Sequence, residues 1–338
     1  MEMSISKRTS EATKFICSIG ILSHHVFFTF KLSEITHASF FFMKIAMFTF
    51  LFLSGYGLVQ SYYLNGLKDY WGKKFRKIYI PAVCVNIFAA LELLIFNKIE
   101  YNRDFIFKDV LLLHSEQTIN DYLWFLHLLI IWYIAFYFVY YYIRKKKQRL
   151  LIWAGVILFM WYMTPEIYGL GWAYCLSFGI GVIYAEVTKD RVIAPSAIRA
   201  ITISLLVILL IGGWMILYHG YEPELILFGK KINFWLYSLL TNLVYGSGTF
   251  LLCFILERIC NKWSSLQRHT TIMGGMSLLI YYLHGPLVTD PISWTTGVWQ
   301  KIVVMIIGVG VTMIISYVYA KYSAKWLISD KHDKCKEG

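Results

Sequence analysis

Along the chain, apolar residues gather into long runs separated by short polar stretches. The run AITISLLVILLIGGWMILY (200–218) has no charged residue and no polar–apolar alternation. About 18 or more apolar residues are enough to span ~30 Å of hydrocarbon as a helix. In lipid only helices and closed barrels satisfy their own backbone, and barrel strands alternate at every second position. The pattern therefore predicts helices, over roughly 14–31, 40–61, 79–97, 122–143, 150–164, 168–187, 199–218, 233–256, 272–290 and 301–320. The fold class that follows is all-α: a polytopic integral membrane protein with about ten transmembrane helices. The first run lacks a small-residue cleavage site and more runs follow it, so it reads as a retained helix and not a signal peptide.

Composition agrees. Apolar residues make up 58% of the 338 and charged residues 15%, with a mean hydropathy of +0.57. Soluble domains carry about 25% charged residues. The net charge of +12 would suit nucleic acid in a soluble protein, but here it follows the loops. With the N-terminus placed in the cytoplasm, 24 of the 32 lysines and arginines fall inside and 7 outside, and Lys44 lies within or at the edge of the second span. That is the positive-inside pattern. Only an even number of spans keeps the basic segments 68–77, 144–149 and 321–336 on one side, so both termini are expected in the cytoplasm. The longest loop, 98–121, is too short for a second globular domain. One membrane domain over 1–338 is expected, with spans within about 14–320 and a basic cytoplasmic tail at 321–338. The six cysteines show neither CxxC nor Cys/His ligand spacing, which predicts no disulfide and no metal site.

Five segments hold candidate chemistry. The first helix reads KFICSIGILSHHV. Lys14 and His25 are separated by about three helical turns, so they share a face about 16 Å apart along the axis. His25 then lies well inside the membrane, where an ionisable group is costly and usually functional. His24 points about 100° away and competes for the role. The alternative is a histidine that bonds a neighbouring helix, with Lys14 reaching for headgroups. The second helix ends FLFLSGYGLVQS, in which Ser54, Gly55 and Gly57 permit close approach of another helix or a ligand. In KKFRKIYIP, either Lys74 with Lys77 or Lys73 with Arg76 share a helix face and could hold phosphates together; anionic lipid is the competing explanation. Pro81 suits the first turn of the third helix. DYLWFLHLL places Trp124 near a helix end and His127 one turn further in. MSLLIYYLHGPL holds His284, and Glu92 lies in the outer half of the third span. One or more of His127, His284 and Glu92 could orient His25 or meet a polar acceptor.

Taken in order, these segments resemble the membrane-bound acyltransferase family three, the bacterial sugar and polysaccharide O-acyltransferases. A basic residue, ten residues and a histidine open the first helix. FLFLSGYGL is similar to the family's Phe-rich ending of helix two, KKFRKIYIP to its basic pair before proline, YLWFL to its LWFL, and GGMSLLIYYLHGPL to its late S-x-x-IY-x-x-H segment. Two features depart from the family pattern. Lys14 stands where arginine is usual, and the basic pair contains lysine, which lacks arginine's planar fork. The resemblance implies His25 as catalytic histidine, and no permanently bound cofactor. It implies acetyl-CoA or another acyl-CoA as cytoplasmic donor, held by Lys14, Lys73, Lys74, Arg76 and Lys77. Trp124, His284, Glu92, Ser54 and Gly55 would support substrate binding. The expected partners are acyl-CoA, a glycan or lipid-linked sugar acceptor and membrane lipid, with no nucleic acid, in the bacterial cytoplasmic membrane. The chemistry is consistent: a hydroxyl is a poor nucleophile towards a thioester, and a neutral histidine can take its proton as the bond forms. An acyl-histidine intermediate is the other route. A transporter or flippase is the competing reading of a buried histidine and Lys44 among ten helices, although no paired broken helices occur in matching halves. A scaffold or sensor would leave the five motifs unexplained.

Overall fold

The computed structural model describes residues 5–98, 103–113, 119–167, 176–189, 195–219, 226–227, 230–231, 234–262 and 264–334. The fold is helical. In chain order the helices are α1 (Lys7–Thr29), α2 (Ser33–Asn65), α3 (Tyr70–Lys74), α4 (Ile80–Ile95), α5 (Arg103–Val110), α6 (Trp124–Tyr142), α7 (Lys146–Ile167), α8 (Ser177–Thr188), α9 (Pro195–His219), α10 (Phe234–Lys262), α11 (Ser264–His284), α12 (Asp290–Trp294) and α13 (Val298–Lys334). A two-residue antiparallel pair, β1 (Ile226–Leu227) with β2 (Lys230–Lys231), is the sheet structure among the described residues.

Each of the ten expected spans overlaps a helix. Among the described residues, however, six helical segments and not ten are long and apolar enough to cross a membrane: Ile35–Asn65, Tyr70–Ile95, Asp121–Tyr142, Leu236–Lys262, His269–Trp294 and Val298–Ser323. The difference has local causes. The first half of α1 carries Lys7, Arg8, Glu11 and Lys14, and α7 opens on Lys146, Lys147 and Arg149. The apolar parts of α8 and α9 are shorter, Ser177–Thr188 and Ala200–Ile216. The first eight residues of the expected span 168–187 lie outside the described residues. At the C-terminal end, the segment expected as a tail continues α13 to Lys334.

Many large apolar side chains point outward, among them Leu91, Ile95, Phe159, Leu210, Ile306 and Ile314. An apolar surface this extensive is unfavourable in water and matches a hydrocarbon surround.

The chain divides into two compact units. The first comprises Met1–Ser10, Ser33–Lys68 and Leu128–Lys262. Its central contact is α2 against α8, and small residues make it. A Cβ on Gly55 would meet the Phe178 carbonyl, and one on Gly181 would meet the Phe52 carbonyl. Gly55 therefore serves close helix packing. Ser54 donates to the Phe50 carbonyl at 2.7 Å and also bonds the Tyr133 hydroxyl. Lys44 is buried in this unit, with its ammonium 4.6 Å from the Phe40 ring centroid.

A buried ion pair closes one end of α2, α6, α7 and α8. Arg149 Nε donates to Glu186 Oε1 at 2.9 Å, with Arg149 4% and Glu186 0% exposed. Tyr140 and Tyr63 hydroxyls donate to the two Glu186 oxygens at 2.8 and 2.7 Å. The other guanidinium nitrogens reach the Arg144 carbonyl and the Tyr63 hydroxyl, both at 2.9 Å. Removing one partner of such a pair strands a charge away from water. Arg149→Ala is expected to destabilise the protein by about 3–5 kcal/mol. Thermal unfolding in detergent measures this, and Arg149→Lys should recover part of the loss.

The second unit comprises Glu11–Leu32, Asp69–His127 and Trp263–Gly338. Its core joins α1 to α11 and α12 through Leu22, Val26, Met276, Ile280, Val288 and Ile292, and to α13 through Ala320. Two π turns interrupt its helices, Phe75–Tyr79 between α3 and α4, and Gly285–Thr289 between α11 and α12. Pro81 follows the first by two residues and Pro286 lies within the second, and a proline's missing N–H breaks the α ladder. The third long helix thus starts at Tyr70 and runs through Pro81, where the sequence suggested a start near 79.

Candidate active site

The second unit holds the histidines. His25 lies three quarters of the way along α1 and is half-buried. Three aromatic rings surround it. Its ring centroid is 4.7 Å from Tyr122, 5.0 Å from His284 and 5.1 Å from His24. Tyr122 and His284 also touch each other, at 4.4 Å. Of the three groups considered as partners of His25, His284 is the one that meets it. His127 instead donates from Nε2 to the Leu112 carbonyl at 3.0 Å, and so fastens the segment after α5.

The chain positions Tyr122 through backbone bonds. It sits in a single 3₁₀ turn, Asp121–Leu123, at the head of α6. The Tyr281 hydroxyl donates to the Tyr122 carbonyl, and the Asn120 amide donates to the Tyr282 carbonyl at 3.2 Å. Both bonds join this turn to the end of α11. The Thr289 hydroxyl donates to the carbonyls of His284 and Gly285 at 3.3 and 3.2 Å. Its single proton is thereby used, so the Tyr122 hydroxyl is the donor in their 2.9 Å contact. Thr289 thus satisfies carbonyls loosened by the π turn and fixes the tyrosine beside both histidines. Such turns recur at functional sites. Sequence reasoning passed over Tyr122 and Thr289. The available signals were the tyrosine directly before LWFL and the proline inside a helical run.

His284 is fully buried at the end of α11. Its Nδ1 lies 2.6 Å from the Tyr281 carbonyl. Trp124 is half-buried, its ring 6.1 Å from that of Phe125. Ser54 and Gly55 belong to the other unit and act there as described.

One helical stretch from His25, the basic residues assemble. Lys14, Lys73 and Lys77 all lie close enough to Lys74 for their charges to act on its ammonium. Lys74 also sits 5.6 Å from the Tyr70 ring centroid. Arg76 behaves differently from the expectation of a Lys73–Arg76 clamp. Its guanidinium pairs with Asp69 at 2.6 Å. Arg76 lies seven residues, about two helical turns, after Asp69 and so on the same face. The cationic group therefore centres on Lys14 and Lys74.

Carboxylates gather in the same unit: Glu92 interacts electrostatically with Asp290, and Asp290 with Asp121. Both aspartates also act on Tyr122. The unit thus carries a cationic group, an imidazole pair with a tyrosine, and a carboxylate group. Such a set can bind an anion, move a proton at a neutral imidazole and hold polar hydroxyls.

The family model described as an acyltransferase domain, acyltransferase family 3, matches residues 10–321, and the chain belongs to that family. Neither a curated protein nor a solved structure matches the chain.

Gly285 provides a test of the ring cluster. A Cβ there would run into the Tyr122 ring edge and come within 3.2 Å of Asn120 Oδ1. Gly285→Ala is expected to displace Tyr122 at a cost of about 1–3 kcal/mol. It should lower acyl transfer more than Gly57→Ala, since a Cβ at Gly57 meets nothing within 4 Å. Turnover and melting temperature of the two variants make the comparison.

Proposed function

We propose that the protein is an O-acyltransferase that moves an acyl group, with acetyl the first choice, from cytoplasmic acyl-CoA to a hydroxyl of a surface glycan, exopolysaccharide or lipid-linked sugar. One observation supports this most: Lys14 and His25 occupy one helix, with Lys74 beside the first and His284 and Tyr122 beside the second. An anion held at Lys14 and Lys74 leaves about 16 Å of helix to His25, a distance suited to the long arm that joins the CoA phosphates to its thioester.

In the reaction, His25 takes the proton of the acceptor hydroxyl as its oxygen attacks the thioester carbonyl carbon. The C–O bond forms, the C–S bond breaks, and the imidazolium returns the proton to the departing thiolate. Neutral imidazole is regenerated and CoA leaves as the thiol. Glu92, in the outer half of its helix, is our candidate to meet acceptor hydroxyls. The cytoplasmic membrane of a bacterium is the location that fits the CoA supply and the basic loops.

Purified protein in lipid nanodiscs, given radiolabelled acetyl-CoA and the host's own membrane glycolipids, tests the assignment. His25→Ala should lower acceptor labelling by about 10²–10⁴-fold. Lys74→Ala should leave kcat near wild type and raise the KM for acetyl-CoA by about tenfold or more, as loss of a charge-assisted contact does. Unchanged labelling in His25→Ala overturns the role of His25.

The same reading fixes the orientation, with both termini in the cytoplasm. Cysteines introduced at 146 and 265 should resist a membrane-impermeant thiol reagent applied to intact cells, and one at 110 should react. The reverse pattern would separate the lysine group from the CoA pool and remove the donor assignment.

A further inference from the structure

The carbonyl of Tyr281 can only accept a hydrogen bond, so its 2.6 Å contact with His284 Nδ1 places the ring proton on Nδ1. His284 Nε2 is then a bare lone pair. It is fully buried, and among the described residues it has no hydrogen-bond partner. A buried acceptor left this way is unfavourable, so the donors within reach decide its role. Three rings adjoin His284: Tyr281, Tyr122 and His25. The Tyr281 hydroxyl is committed to the Tyr122 carbonyl, and the Tyr122 hydroxyl to Thr289. Among the described residues the His25 ring meets the rings of His24, Tyr122 and His284, and of the three rings beside His284 its N–H is the donor that remains.

The geometry permits the bond. The two imidazole planes are inclined by 29° with centroids 5.0 Å apart. The rings are stacked, and two ring radii plus one hydrogen bond of about 2.9 Å cover a similar distance, so the bond forms when His25 turns out of the stack and points an N–H at His284 Nε2.

We propose that His284 is a positioning residue: its Nε2 accepts the His25 N–H, which fixes the His25 tautomer and turns the other His25 nitrogen, with its lone pair, towards the acceptor hydroxyl. The chain of bonds runs from the Tyr281 carbonyl through His284 to His25. It places a neutral imidazole where catalytic histidines elsewhere have a carboxylate. It rests on the reading of His25 as the base.

Two variants separate the two edges of the His284 ring. His284→Asn keeps an N–H near Nδ1 for Tyr281 and removes the acceptor. His284→Gln places an amide oxygen near Nε2 and gives up the Tyr281 bond. In the labelled acetyl-CoA assay, His284→Asn should lower kcat by about 10–10²-fold, part of what a positioned general base contributes, with the KM for acetyl-CoA unchanged. His284→Gln should recover most of that loss. A purely structural role predicts the reverse order, because the asparagine variant keeps the bond that packs the ring. Wild-type kcat in His284→Asn, or equal loss in both variants at equal melting temperature and acetyl-CoA affinity, overturns the proposal. His25→Ala run alongside keeps the readings apart. If it is inactive while His284→Asn is normal, the positioning role fails and the acyltransferase assignment stands. If it is active, the positioning role and the role of His25 as base both fail.

Discussion

A polar group inside a bundle of apolar helices has no water to turn to, and every such group must find its partner in the protein. Most of the architecture can be followed from that constraint. Glu186 is tolerated at zero exposure because an arginine and two tyrosines surround its oxygens. The Thr289 hydroxyl lies within reach of carbonyls loosened next to Pro286. Asp109, also buried, accepts from the Ile119 amide, while its own carbonyl accepts from Asn86, and the loop after α5 is fastened by this exchange. Against that background the imidazoles of His25 and His284 stand out. Each lies among other rings.

The two units use polarity differently. In the first, small residues let α2 and α8 touch backbone to backbone, and Arg149 and Glu186 are locked into one saturated pair. In the second, charge is spread: lysines around Lys74, carboxylates around Asp290, and imidazoles with a tyrosine. A saturated pair holds helices together and has little capacity for chemistry. Unsaturated imidazoles carry the opposite balance, a cost in stability and a readiness to exchange protons.

Much of this was legible in the sequence. The spacing of Lys14 and His25 needs only the helical repeat, and the helix carrying them formed as expected. Long apolar runs located all the major helices. Gly55, offered between packing and ligand approach, lies against the Phe178 carbonyl. What the sequence concealed were contacts across space and departures from the α repeat. Tyr122 becomes part of the site through bonds from Tyr281 and Asn120, residues with no periodic relation to it. Arg76 looked like half of a clamp until Asp69, two turns earlier, was seen to take its guanidinium. Segment counts based on apolarity also ran high, because α1 and α7 carry charges at one end that a bundle can accommodate and a length-and-hydropathy rule does not admit.

The wide turn at Gly285–Thr289 has one more implication. A π turn closes over one residue more than an α turn, so helices on either side of it are out of phase by about one position. Deleting a single residue there would restore regular winding and swing α12 around its own axis, carrying Asp290 away from Tyr122 while leaving His284 untouched. The extra residue thus acts as a phase adjuster: it shifts the bearing at which one continuous rod presents the Asp290 carboxylate relative to the His284 imidazole by about one residue's turn.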